Sequence, residues 1–181
     1  MIFMFHIVLI FVSLFAYEGT LTENVEKRLS QCAVKFNIRN AGLDVTGTID
    51  SVTAEIKFDP ECLSQSTIVA TADPATIRTG IAIRDRHLKR SDYFDIAHYP
   101  LIQLRSIKFQ YVGKNKFNGQ FHLTIKNITQ TVTIPFMLTQ NGNATVYKGR
   151  FEINRLDYYL GEMSSILGEK VSIELKAEIM N

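Results

Sequence analysis

Apolar and polar residues alternate along most of the chain, a pattern that predicts β-strands with one buried and one solvated face. Strands are predicted near residues 33–40, 43–50, 51–59, 66–73, 101–112, 117–126, 132–138, 147–154 and 170–179. Short turns join most of these segments, and no regular alternation of strands with helices occurs. The pattern therefore predicts an antiparallel sheet with one wet face and argues against a parallel α/β fold.

Strand curvature favours a closed barrel over a two-sheet sandwich. The apolar parity of the strand over 101–112 changes between Leu104 and Ile107, so that positions 107, 109 and 111 continue the inward row only across an irregularity. A β-bulge near Arg105–Ser106 would supply it, and bulges bend strands. Glycines at 47, 119 and 149 also fall on the inward face, where they would let strands bend and would leave free volume. We predict a barrel of about eight strands, which its own side chains can fill or which can hold one slender ligand.

The segment from Thr79 to Pro100 is the one long stretch without a two-residue alternation. Charged residues are interleaved there with apolar ones, and we predict a short, partly helical lid between the two halves of the barrel. An enzymatic interpretation would make His87 a base oriented by Asp85, but residues two apart diverge on a helix. We favour ion pairs and caps that fix the lid. A second hypothesis gives Arg84 or His87 a contact with a polar quinone or phosphate head group.

Charge and motifs narrow the function classes. The net charge is only +2, from 20 basic and 18 acidic residues that are interspersed, so nucleic-acid binding is not expected. The four histidines show no zinc-ligand spacing, and no phosphate-binding glycine loop or nucleophile motif occurs. We therefore expect no metal and no enzymatic cofactor.

The N-terminal residues predict export. Residues 1–16 contain no charged side chain and include the apolar run Ile7–Val12. We predict a signal peptide over 1–17, a polar linker over 18–29 and one folded domain over 30–181, with a short uncleaved membrane anchor as the alternative to the signal peptide. Cys32 and Cys62 could pair in an oxidising compartment, or could be one buried thiol and one loop thiol. The sequence does not decide between these two states.

Several segments carry a family resemblance. They are VTGTID at 45–50, FDPECLSQS at 58–66, RDRHLKRSDYFDIAHYP at 84–100, NGQFHLTIKNITQTVTIPF at 118–136 and INRLDYYLG at 153–161. In order and spacing they resemble the YceI-like family of lipocalin-like polyisoprenoid-binding proteins, over roughly residues 30–179. The resemblance implies an all-β, lipocalin-like antiparallel barrel of about eight strands, with a short helical insertion between its halves. It also implies a periplasmic or secreted bacterial protein.

The resemblance further implies that the bore holds an isoprenoid, a quinone-like lipid or a similar amphiphile. The ligand-binding residues that we predict are Phe36, Ile38, Phe58, Arg84, His87, Phe121, Leu123, Phe136, Phe151 and Ile173. A structural or stress-response module with a self-filled barrel is the alternative, and an enzyme acting on a prenyl lipid is less favoured. The identity of the lipid and the oligomeric state stay open, with a dimer among the options.

Overall fold

The computed structural model describes residues 28–180, so the predicted signal peptide or anchor over 1–17, and all but the last two residues of the predicted linker, lie outside the described residues. The first five strands are β1 (Arg28–Asn40), β2 (Leu43–Ile49), β3 (Val52–Lys57), β4 (Thr67–Ala72) and β5 (Ile77–Arg78). One helix, α1 (Ala82–Leu88), precedes β6 (Ile102–Gly113), β7 (Lys116–Ile125), β8 (Ile128–Asn141), β9 (Ala144–Asn154) and β10 (Leu167–Met180). Three single 3₁₀ turns complete the described secondary structure, at Leu63–Gln65, Pro74–Thr76 and Arg155–Tyr158.

The ten described strands form one antiparallel sheet in the order β3-β4-β6-β7-β8-β9-β10-β1-β2-β5. The sheet curls, and the chain passes from β2 to β3 through only Asp50 and Ser51, which brings the two ends of the strand order together. The prediction of an antiparallel, lipocalin-like barrel with one short helical insertion is confirmed. The additional strand is β5, in which Ile77 and Arg78 pair with Ile49 and Thr48. A two-residue strand is too short to show a period in the sequence.

The predicted bulge in β6 is present, one residue beyond the expected position. Ser106 pairs with Phe121 and Lys108 pairs with Gln120, so that Ile107 is the extra residue. The Ser106 hydroxyl accepts a hydrogen bond from the backbone N–H of Ile68 at 2.9 Å, which fixes its side chain on the inner face. The prediction that Ile107 faces inward is therefore wrong, and its side chain is 45 % exposed.

The barrel has two distinct ends. At one, which we call the helix end, β1 turns into β2 beside the start of β10, since Asn40 pairs with both Leu43 and Leu167. The segment 79–100, which contains α1, leads into β6 at this end. At the other, which we call the hairpin end, β6 turns into β7 and β8 turns into β9.

Aromatic rings fill the core at the hairpin end. The Phe58 ring meets those of Phe109, Phe117 and Phe136 edge to face, with centroids 5.1, 5.0 and 5.4 Å away. Such geometries are favourable for aromatic pairs beyond the area that they bury. The hairpin end is therefore packed, and free space lies between it and the helix end. In the described part of the chain, no helix has the length and apolar character to cross a bilayer.

Candidate functional site

The curled sheet encloses a cavity of about 990 Å³, which we call the bore. All ten described strands contribute to its wall, together with α1 and the residues that follow it. Most lining side chains are apolar because the inward row of each strand alternates with a solvated row, as in any sheet with one wet face. The volume lies at the upper end of the range of about 300–1,000 Å³ that is typical of small-molecule pockets.

Nine of the ten sequence-predicted site residues line the bore. They are Phe36, Ile38, Arg84, His87, Phe121, Leu123, Phe136, Phe151 and Ile173. The exception is Phe58, which is not among the lining residues and packs in the aromatic cluster of the hairpin end. Parity places Phe58 on the inner face correctly, but it is the last inward position before Pro60 and so lies beyond the end of the open space.

The three inward glycines differ in what lies over them: aromatic rings cover Gly47 and Gly119, whereas Gly149 faces the bore. A β-carbon at Gly47 would overlap the ring of Phe36, and one at Gly119 would overlap the ring of Phe121. The free volume that we expected at these two positions is thus occupied by the rings, which lie flat over the backbone. Gly149 does line the bore. A β-carbon there would come within 3.1 Å of Ile134 and 3.3 Å of the Pro135 carbonyl oxygen.

Thr79 holds the start of the lid. The Arg84 guanidinium donates from Nε to the Thr79 hydroxyl and from Nη2 to its carbonyl oxygen, both at 2.7 Å. The Asp85 carboxylate accepts from the backbone N–H of Thr79 at 2.8 Å and from its hydroxyl. The favoured network is therefore present, although it is centred on a threonine rather than on an Arg–Asp ion pair. It also turns the Asp85 carboxylate away from His87.

His87 has other neighbours. Its Nε2 lies 3.5 Å from an oxygen of Asp92, and its ring centroid lies 4.9 Å from that of Tyr93. The Asp85–His87 dyad of the enzymatic interpretation is not formed. His87 is about half exposed and lines the bore, so it lies at the mouth rather than in the interior.

The lid is fastened to the loop after β9. The backbone N–H of Gly161 donates to the Asp92 carbonyl oxygen at 2.8 Å. Lys126 joins the same two segments, because its ammonium group donates to the carbonyl oxygens of Tyr159 at 3.2 Å and Ser91 at 3.4 Å. These contacts make the lid and this loop one continuous rim at the helix end.

Arg155 is a structural residue of this rim that sequence reasoning missed. It is only 2 % exposed and donates to the carbonyl oxygens of Leu160, Glu162 and Gly168 at 2.7, 2.7 and 2.9 Å. A buried guanidinium needs such partners, and two carbonyl groups of the loop after β9 and one at the start of β10 supply them. The sequence feature that could have pointed to Arg155 is the INRLDYYLG segment at 153–161, in which this arginine directly follows an alternating strand.

The charged side chains at the bore are of one sign. They are Arg84, Arg86, Arg90, Arg155 and Lys176, with the imidazole of His87 among them, whereas no carboxylate of the described residues lines the bore. Cys32 also lines it, and burial raises the pKa of its thiol, so that this group is neutral near pH 7. Burial raises the pKa of the lining Tyr147 phenol in the same way. Cys32 and Cys62 are both free thiols.

The chain is similar in sequence to a known domain family and to proteins of Vibrio. The model of the YceI-like domain matches residues 25–179. A UPF0312 protein of Vibrio parahaemolyticus is 21 % identical over 120 residues, which are 66 % of this chain and 64 % of that protein, so the match spans somewhat less than two thirds of the relative's length.

Three solved structures share the fold. The BcnA protein of Burkholderia cenocepacia is 27 % identical, with a TM-score of 0.78 over 81 % of this chain and 95 % of that one. The YceI protein of Campylobacter jejuni is 20 % identical, with a TM-score of 0.69 over 76 % of this chain and 85 % of that one. A polyisoprenoid-binding domain from Saccharophagus degradans is 11 % identical, with a TM-score of 0.67 over 85 % of this chain and 96 % of that one.

Proposed function

The chain belongs to the YceI-like domain family, and on that premise we propose that it binds, carries or stores an isoprenoid or similar amphiphilic lipid in the bore. The observation that carries the proposal is an apolar cavity of about 990 Å³ inside the barrel. A structural module with a self-filled barrel, the main alternative, would have its own side chains in that space.

The physical chemistry of the bore suits a long hydrocarbon. Each methylene equivalent that leaves water contributes about 0.8 kcal/mol. Association costs about 4–15 kcal/mol in lost translational and rotational freedom, so a chain of several isoprene units offsets it. The solved domain from Saccharophagus degradans is a polyisoprenoid-binding one, but at 11 % identity the likeness establishes the fold alone. The ligand class is therefore our proposal for this chain.

We propose that the protein binds its lipid without chemically changing it. Two polar side chains at the bore hold the rim, since Arg84 binds Thr79 and Arg155 binds three carbonyl groups, while His87 lies beside Asp92 at the mouth. General acid–base catalysis needs a titratable group within hydrogen-bond reach of the reacting atoms. The deep wall of the bore consists of apolar strand residues such as Phe121 and Phe151.

We also propose that the protein is exported, to the periplasm or outside the cell, with membrane anchoring as the alternative. The support is the uncharged apolar run within residues 1–16. Cell fractionation followed by mass spectrometry of the intact protein tests both possibilities. A mature soluble form lacking about the first 17 residues supports export with cleavage, and a membrane-bound full-length form supports the anchor.

The lipid proposal is tested on protein purified from its own host without added detergent. Native mass spectrometry should show a bound mass that organic extraction removes, and chromatography of the extract should identify a prenyl chain or a related amphiphile. A host-purified protein with no bound mass, which also fails to take up any prenyl lipid offered to it, would contradict the proposal. Size-exclusion chromatography of the same sample gives the oligomeric state.

A further inference from the structure

Large apolar side chains are exposed around the mouth of the bore. Ile83 on α1 is 70 % exposed and Met163, in the loop after β9, is 80 % exposed. Leu43, Tyr159 and Ile166 are exposed at 64 % or more. Monomeric soluble proteins rarely leave many large apolar side chains together in water, and such groups mark interaction surfaces. We call these five residues the apolar rim.

Backbone contacts place the segments of the apolar rim next to one another. The N–H of Ala41, in the turn before Leu43, donates to the Ile166 carbonyl oxygen at 2.7 Å. The same loop is bonded to the lid through Gly161, whose partner Asp92 lies four residues beyond the end of α1. The turn, the loop and the helix therefore form one continuous border at the helix end.

The apolar rim continues the wall of the bore outward. Ile83 both lines the bore and is exposed, so it lies at the opening itself. Leu43 has the strand parity of Val45, which lines the bore two residues further in. Ile166 directly precedes Leu167, another lining residue. A hydrocarbon leaving the bore would therefore pass over apolar side chains on its way out.

Tyr159 has a backbone conformation that is rare for its residue type. Its φ is 51°, in the left-handed region, and its side chain is exposed while the neighbouring Tyr158 and Leu160 are buried. A bulky residue adopts this conformation at a cost, and such cases cluster at functional sites. An exposed tyrosine, with an apolar ring and a polar hydroxyl, suits the boundary between water and the acyl chains of a membrane.

The lid adds positive charge beside this apolar surface. Residues 82–92 carry four basic side chains, Arg84, Arg86, Lys89 and Arg90, and two carboxylates, Asp85 and Asp92. Asp85 is turned toward Thr79. Arg86 and Lys89 have no carboxylate within ion-pair distance among the described residues. Unpaired basic groups next to apolar side chains complement anionic lipid head groups.

We propose that the helix end docks on an anionic membrane surface, with the apolar rim in the interfacial layer and the mouth of the bore facing the bilayer. A protein partner would need an apolar surface shaped to fit around an open mouth, whereas a membrane offers a continuous apolar phase to both the apolar rim and the bore. The reason for docking rests on the proposed function, since a bound lipid could then enter or leave without crossing water. The docking itself is measured independently of bound lipid.

The test uses the full chain with one fluorophore, placed either at the helix end or at the hairpin end of the barrel. In a background in which Cys32 and Cys62 are replaced by serine, Met163→Cys and Met137→Cys each carry a single environment-sensitive NBD label. Met137 is an exposed methionine near the hairpin end and serves as the matched control. With phosphatidylcholine vesicles that contain phosphatidylglycerol, the emission of the label at 163 should shift to the blue and be quenched by lipids with a spin label in the acyl chain. The label at 137 should not respond.

Three further variants test the chemistry of docking. Replacing Ile83, Met163 and Ile166 with serine should weaken vesicle binding about tenfold or more, whereas Tyr111→Ser, Val112→Ser and Met137→Ser together should leave it unchanged. Arg86→Gln with Lys89→Gln should weaken binding to the anionic vesicles only.

Three outcomes would overturn the proposal. They are no response at either label, an equal response at both labels, and a blue shift at 163 that depends on protein concentration without vesicles. The last result would assign the surface to a second copy of the chain. An equal response would show that the barrel meets the vesicle without a preferred orientation. Native mass spectrometry of the same variants reports bound lipid, so a failure of docking and a failure of lipid binding are distinguished.

Discussion

The ring of Tyr93 lies directly against the backbone of Gly161: a β-carbon at position 161 would come within 2.8 Å of the ring and 2.9 Å of its hydroxyl oxygen. The Gly161 N–H bonds the carbonyl oxygen of Asp92, the residue before Tyr93, at 2.8 Å. Gly161 also has a φ of +70°. The lid can therefore close on this loop because residue 161 has no side chain.

Gly161→Ala should lower the free energy of unfolding by about 1–3 kcal/mol, since the added methyl group overpacks against Tyr93. It should also speed the exchange of a fluorescent prenyl lipid between protein and vesicles, because the lid is pushed from the loop. The control is Gly142→Ala, at a φ of +57° with no atom within 4 Å of the added carbon. It carries backbone strain alone and should leave exchange unchanged. Equal exchange rates in the two variants would show that the Tyr93 contact does not control access.

The alanines Ala54 and Ala70 are paired across β3 and β4, and both line the bore. Ala54→Phe and Ala70→Phe should therefore reduce the amount of lipid recovered per protein while the fold is retained, because an apolar ring fills space without burying a charge. Phe121→Arg and Phe151→Arg should abolish recovery, since an unpaired guanidinium in the wall is costly. Tyr111→Arg, at an exposed position, is the control for the added charge. Unchanged lipid recovery in folded bore variants would show that the lipid does not lie in the bore.

The inner face of the sheet could be predicted from the sequence, but depth along the barrel could not. Parity alone places Phe58 and Phe121 on the same face, although only Phe121 lines the bore. Parity also cannot say which residue of a bulge is the extra one. The hydrogen bond between Ser106 and the Ile68 N–H, 38 residues apart in the chain, places Ile107 outside.

The rim could be predicted only in part. A lid between Thr79 and Pro100 follows from the break in alternation. What holds it does not, because Gly161 and Lys126 are distant in sequence and act through backbone carbonyl and N–H groups, which every residue has. A side-chain pattern carries no record of such contacts.

His87 tests the head-group hypothesis. It lines the bore at the mouth and is not fixed by a short hydrogen bond, since Asp92 lies 3.5 Å away. His87→Ala should weaken the binding of lipids with a quinone or phosphate head group several-fold, while a prenyl hydrocarbon without a head group binds as before. Competition with a fluorescent lipid measures both. Uniform loss for all of these ligands would mean that His87 acts on the lid and not on the head group.

Tyr158 is 1 % exposed, and its hydroxyl has no hydrogen-bond partner among the described residues. Burial, and secondarily the negative charge of Asp157, raises the pKa of the Tyr158 phenol to about 12. An unsatisfied buried hydroxyl costs about 1–3 kcal/mol, so Tyr158→Phe should stabilise the protein at neutral pH by about 1 kcal/mol.

The raised pKa of Tyr158 makes the free energy of unfolding depend on pH in a definite direction. Because an unfolded tyrosine ionises near pH 10 and the folded Tyr158 only near 12, the folded state holds more protons in between, and its stability falls as pH rises from about 10 to 12. Tyr158→Phe should remove this fall, and Tyr111→Phe, at an exposed ring, should not. Urea unfolding at pH 7, 10 and 11.5 measures both effects. A loss of stability at pH 7 would show that the hydroxyl has a partner after all.

The rate at which the Cys32 thiol is alkylated should report whether a lipid occupies the bore. Its thiol lines the bore, and burial raises its pKa, so the reactive thiolate is scarce near pH 8 and increases only at higher pH. In a Cys62→Ser variant, alkylation by N-ethylmaleimide should therefore be slow, should accelerate as pH rises beyond the ordinary thiol range, and should become several-fold faster once lipid has been extracted. In the reciprocal Cys32→Ser variant, Cys62 lies before the 3₁₀ turn at Leu63–Gln65, does not line the bore, and should react at a rate that extraction leaves unchanged. If extraction removes a bound lipid and the rate at Cys32 stays the same, the lipid was held at another place, because a hydrocarbon filling the bore would cover this thiol.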